Sequence, residues 1–211
     1  MAACGGIRAL PVTRPGTGSF VAERDAAPLE LCASRLQAPP AADGRAALMT
    51  ILTRRATRAD AALISILTAD VQTIHAEALP GLFKPPSPAS FTAEADAILA
   101  NSDNLLFLAF VDHEPAGYAY AQVIRRQATT LTYAAETVYL HHISVLSKYR
   151  RRGIGSALLN AVQASGVELG ITLLMLDVWT FNEAARAFFR RHGFQQYVER
   201  LWRGQAFGAL V

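Results

Sequence analysis

Apolar side chains at Leu63, Ile64, Leu67, Val71 and Ile74 recur at the three-, four- and seven-residue intervals of one buried helical face. Asp60 stands where such a helix takes its cap, and Pro80-Gly81 closes it. The β-rich run at 51–56 predicts a strand ahead of it. Three prolines in Lys84-Pro85-Pro86-Ser87-Pro88 remove backbone donors and fix φ, so 84–88 is expected as an exposed loop. A short helix then suits 91–100. Strands at 105–112 and 116–124 are joined by a turn at His113-Glu114-Pro115, and a further strand fits 136–145. Beyond it come a helix over 154–169, a β-rich run at 173–180, a helix over 183–192 stopped by a left-handed Gly193, and a final strand at 194–203. This order predicts an α+β sandwich, a sheet flanked by helices.

Composition adds boundaries to that pattern. The first 48 residues hold 12 Ala, 5 Pro and 5 Gly, so 22 of 48 positions are small or chain-breaking, with no sustained period. Residues 1–48 are therefore expected to be disordered, with one domain over 49–211. Arg8 and Arg14 precede the first acid, Glu23, which leaves a transit peptide open; a start at Met49, with the preceding stretch upstream of it, is the preferred reading. Both cysteines, Cys4 and Cys32, fall in this stretch and lack zinc-ligand spacing. The domain thus has no thiol nucleophile, and no metal is expected. The apolar run at 105–111 is less than half of the roughly 20 residues that span a bilayer, so no membrane partner is expected. Two cysteines are too few for a secreted disulfide framework, which makes a cytoplasmic location the default expectation. A formal charge of +3 over 211 residues is too small for a bulk electrostatic grip on nucleic acid.

Chemistry concentrates between the strand ending at Val145 and the helix beginning near Ile154. Arg150-Arg151-Arg152-Gly153-Ile154-Gly155-Ser156 places arginines and two glycines at a helix start, where backbone N–H groups and the helix terminus favour an anion. The Walker loop needs GxxxxGK followed by Ser or Thr, which is missing. The dinucleotide fingerprint needs Gly or Ala where Leu158 stands.

The segment does resemble the acetyl-CoA pyrophosphate loop of the GCN5-related N-acetyltransferases (GNAT): Gln or Arg, two residues, Gly, one residue, Gly or Ala. About 30 residues later, Asn182-Glu183-Ala184-Ala185-Arg186-Ala187-Phe188-Phe189-Arg190-Arg191-His192-Gly193-Phe194 is similar to the family's second cofactor motif. The resemblance extends over residues 50–203. It implies a mixed, mostly antiparallel sheet in which the strands at 138–145 and 173–179 splay into an acetyl-CoA cleft. It implies that backbone groups of Ile143, Ser144 and Val145 pair with the pantetheine arm, and that Arg150, Arg151, Arg152, Gly153, Ile154, Gly155 and Ser156 surround the pyrophosphate. Asn182 and Phe189 would touch the cofactor from the far side.

Transfer to an amine needs a neutral amine, a polarised carbonyl and a proton for the leaving thiolate. The resemblance implies direct attack in a ternary complex, with a backbone N–H near Val145 on the carbonyl. Many relatives carry Tyr where Phe189 stands, and Phe cannot donate; Tyr197, Tyr149 or water remain as donors. His141 and His142 occupy positions where relatives often have Glu or Asp, and Glu136 is a third candidate base. Adjacent strand residues point to opposite faces, so only one histidine is expected to face the cleft. His75, Glu77, Phe83 and Trp179 are candidate acceptor-binding residues; equally open is that Glu77 is solvated and that Phe83 and Trp179 are core. The expected activity is acetyl-CoA-dependent N-acetylation of a primary amine on a small molecule or peptide. Alternatives are a protein N-terminal or lysine acetyltransferase, a non-catalytic acyl-CoA sensor, and an RNA-binding module, the last weakened by the missing aromatic platform. A homodimer stays open.

Overall fold

The structure, a computed structural model, describes residues 33–35, 49–201 and 203. Six strands, β1 (Ala33–Arg35), β2 (Thr50–Arg55), β3 (Asn104–Val111), β4 (Glu114–Arg126), β5 (Ala135–Val145) and β6 (Leu174–Leu176), form one sheet in that order. Every neighbouring pair is antiparallel except β5 and β6. The α-helices are α1 (Ala61–Ala78), α2 (Pro88–Ala100), α3 (Ile154–Glu168) and α4 (Glu183–Arg191). The expected disorder at 1–48 lies outside the described residues except at Ala33–Arg35, which pair with β2. Among the described residues no helix is long and apolar enough to cross a membrane.

β3 reads NLLFLAFV because both of its faces are covered. Leu106 and Leu108 pack with Ile64, Leu67 and Ala95 under α1 and α2, while Leu105, Phe107 and Ala109 join Ile154, Leu158 and Val162 of α3 on the other face. Each such side chain contributes roughly 1.5–3 kcal/mol when fully buried. The entry to α1 is tied to the sheet through Asp60, which accepts from both terminal nitrogens of Arg54 (2.8 and 2.7 Å) and from Thr57 N–H (2.8 Å) and Oγ (2.9 Å). Arg54 and the Thr57 donors hold its carboxyl well below the usual carboxylate range.

Several expectations need correction. The β3–β4 turn is the two residues Asp112 and His113, with φ of 48° and 72°, and Glu114 is already paired. Pro115 enters β4 where the register shifts, at a point where a ladder donor can be missing. Pro88 begins α2 rather than preventing it, because the first helical turn needs no donor there. The β-rich run at 173–180 is a strand only over Leu174–Leu176. No strand occurs over 194–201: Tyr197, Val198 and Leu201 stay 85%, 69% and 85% exposed, and without a partner ladder their β propensity forms nothing.

Candidate active site

β5 and β6 pair only through Val138–Leu174, Tyr139–Met175 and Leu140–Leu176. At that point β5 also breaks register with β4: Ala121 opposes Leu140 but Tyr120 opposes His142, so His141 is an extra, bulged residue. The bulge cancels the strict alternation expected from the strand. Both histidines meet one ring, His141 stacked on Tyr120 at 4.7 Å and His142 edge-on to it at 6.2 Å.

Past the bulge, the outer edge of β5 has no strand beside it. Leu146 N–H goes to Ala116 O of β4, so by alternation Val145 and Ile143 turn their main-chain groups outward, and Ser144 turns its own toward β4. Arg150 Nε donates to Val145 O at 3.0 Å and holds the strand end against the following loop.

That loop takes two left-handed residues, Arg151 (φ 63°) and Gly153 (φ 84°), before α3 starts. The first main-chain bond of α3 is Ala157 N–H to Gly153 O. Among the described residues, the amides of 151–156 have no acceptor within the protein. They form a cradle of donors at a helix N-terminus, an arrangement suited to a phosphate or pyrophosphate. Gly155 is small for a packing reason: a Cβ there would lie 3.2 Å from the Phe188 ring. Ser156 Oγ lies 2.9 Å from His192 Nε2, and His192 Nδ1 lies 2.9 Å from Phe188 O. The carbonyl can only accept, so Nδ1 carries the proton and Ser156 donates to Nε2.

His142 Nδ1 lies 3.2 Å from the hydroxyl of Tyr118, which is 1% exposed. That contact occupies Nδ1 and leaves Nε2 as the second ring nitrogen. Burial, with His141 and His75 nearby, pushes His142 down to about 4, so it is neutral near pH 7. Burial alone lowers His141 and His75.

His75, Phe83, Trp179 and Phe181 close a circuit of rings. His75 stacks on Phe83 at 4.9 Å, Phe83 meets Trp179 edge-on at 5.4 Å, Trp179 stacks with Phe181 at 6.0 Å, and Phe181 meets His75 at 6.2 Å.

A sequence model of the acetyltransferase (GNAT) family matches residues 68–194. The chain belongs to the GNAT acetyltransferase family. It is accordingly an acyltransferase, and its sheet is the GNAT sheet. Similar solved structures include a Bacillus halodurans protein (22% identity, 72% of this chain and 98% of that one, TM-score 0.65). An aminoglycoside N-acetyltransferase in complex with CoA matches at 22% identity over 76% of this chain and 96% of its own, with a TM-score of 0.57. A predicted acetyltransferase of Clostridium acetobutylicum with acetyl-CoA matches at 18% identity over 74% and 96%, with a TM-score of 0.57.

Within this GNAT domain the candidate residues divide. His75, Phe83 and Trp179 come together in the ring circuit, while Glu77 is exposed. Glu136 is not brought to the cleft: it is paired with Arg125 at 3.0 Å near the start of β5, about 20 Å of strand from His142. Phe189 is 7% exposed and packs in the core on Phe194, whereas Phe188 borders the loop at Gly155. Asn182 caps α4, its Oδ1 accepting from Ala185 N–H at 3.1 Å. Tyr118, Tyr120, Phe181 and His192 escaped the sequence reading. The Gly-Phe of the second motif pointed toward His192, but nothing local marks Tyr118 as a partner of a residue 24 positions away.

Proposed function

We propose that this protein is an acetyl-CoA-dependent N-acetyltransferase that acylates a primary amine of a small molecule or peptide by direct attack in a ternary complex. The observation that carries the reading is the run of unpartnered amides at 151–156, placed directly beyond the open edge of β5. Acetyl-CoA supplies the activated acetyl thioester. The loop amides and the α3 terminus bind the pyrophosphate, with Arg151 and Arg152 adding positive charge. Ile143 offers its outward main-chain groups to the pantetheine amides, and Val145 N–H polarises the thioester carbonyl. His142 Nε2 takes the proton that the amine nitrogen sheds as its bond to the acetyl carbon forms and the C–S bond breaks. Water protonates the departing thiolate, since Phe189 cannot.

The burial of Phe189 favours one second reading, a protein that binds acyl-CoA without turning it over. Titration calorimetry with acetyl-CoA, followed by a free-thiol assay over a panel of amines and N-terminal peptides, separates the two. Binding with CoA release supports the enzyme. Binding without release over the whole panel supports the sensor, and no binding removes both.

A further inference from the structure

We propose that the acceptor of this enzyme is a monoamine carried on an aromatic or similarly flat apolar body, seated on the His75, Phe83, Trp179 and Phe181 ring circuit, and that polycationic amines are poor acceptors. The inference rests on the acetyl-transfer reading and names its acceptor class. The four rings come from two separate segments, the last turn of α1 with its following loop and the chain leaving β6, so they meet across the splayed end of the sheet. His75, Phe83 and Phe181 are half-buried and Trp179 is 37% exposed, which is the condition of a lining rather than of a core. His75 belongs both to this lining and to the charged surroundings that lower the pKa of His142. Rings of this kind hold a flat apolar group by stacking and carry an amine at its end by cation–π attraction.

Charge on the two segments argues against a polycation. Asp70 faces Arg150 at 3.9 Å, Glu183 is bonded to Arg186 at 2.8 Å, and Asp177 lies against Tyr139. Glu77 is exposed, and burial lowers the pKa of His75. Among the described residues, these two segments therefore offer no cluster of free carboxylates to receive several ammonium groups.

The test uses the full chain with acetyl-CoA and four amines: tyramine, tryptamine, n-butylamine and spermidine. The expected result is a kcat/KM at least tenfold higher for the two arylalkylamines than for butylamine, with spermidine lowest. Trp179→Ala should collapse that ratio mainly through KM, with acetyl-CoA affinity by calorimetry reporting that the fold is intact. Spermidine as the best acceptor, or a Trp179→Ala loss equal for all amines, would overturn the inference and leave acetyl transfer standing. A second readout needs no turnover. The chain has two tryptophans, so Trp202→Phe leaves Trp179 as the sole reporter. Quenching by tyramine at concentrations where butylamine has no effect supports the ring site even if no amine is acetylated, and absence of such quenching counts against it.

Discussion

Tyr118, wholly buried on β4, places its hydroxyl 3.2 Å from Nδ1 of His142 on β5 and so decides which nitrogen of that histidine is open to the cleft. His142 is thus oriented from the neighbouring strand, through one tyrosine.

Replacing Tyr118 with Phe leaves Nδ1 of His142 without its hydrogen-bond partner, at a cost of about 1–3 kcal/mol in stability. We expect kcat to fall tenfold or more while acetyl-CoA affinity is unchanged. Nitrogen NMR of histidine-labelled protein should show the proton of His142 on Nδ1 in the parent and a mixture of tautomers in Tyr118→Phe. A parent protein with the proton on Nε2 would contradict the role of that nitrogen as base.

The low pKa of His142 has two consequences. Because the folded value of about 4 lies below the ordinary 6.5, the unfolded chain binds more protons between them, so stability is full above pH 6.5 and declines toward pH 4. The loss approaches roughly 3 kcal/mol at most, taking 1.36 kcal/mol per unit. Thermal melts from pH 7 to 4 should fall less steeply in His142→Gln than in the parent. The groups around it are His141, His75, Tyr118 and Tyr120, with Glu94 acting on Tyr120 from α2, so the difference between the two proteins isolates His142. In the kcat/KM profile, no limb near 6.5 should arise from His142, and the rate should climb with deprotonation of the amine.

Gly155 faces Phe188 at a distance that a Cβ does not tolerate without movement. Gly155→Val should push the start of α3 off α4 and weaken acetyl-CoA binding at least tenfold, with some loss of thermal stability. Phe188→Ala should partly restore affinity in the double variant, a coupling that calorimetry on the four proteins would measure. Equal affinity in all four would show that the loop geometry does not depend on this contact.

Glu136 occupies the start of β5, paired with Arg125, which also bonds Asp103 at 2.7 Å. Glu136→Gln should leave kcat and its pH dependence unchanged and shift stability by less than about 1 kcal/mol, as for other exposed pairs. A large fall in kcat would restore it as a candidate base.

The glycine-bearing loop ahead of α3 was legible in the sequence because its conformation is local. Two glycines, the arginines beside them and a helix start lie within seven residues, and the positive φ at Gly153 follows from its lacking a Cβ. The helical faces of α1 and α3 and the apolar run of β3 were legible for the same reason, since burial writes its period directly into neighbouring positions. What the tertiary structure alone decided involves partners far apart in the chain. The bulge at His141 turns both histidines onto Tyr120, which strand alternation forbids. The ring circuit brings His75 to Phe181 across 106 positions, and the missing ladder leaves 194–201 without a strand. Register, splay and cross-sheet contacts are set by how whole elements pack, and a local pattern carries no record of the neighbour against which it will finally rest.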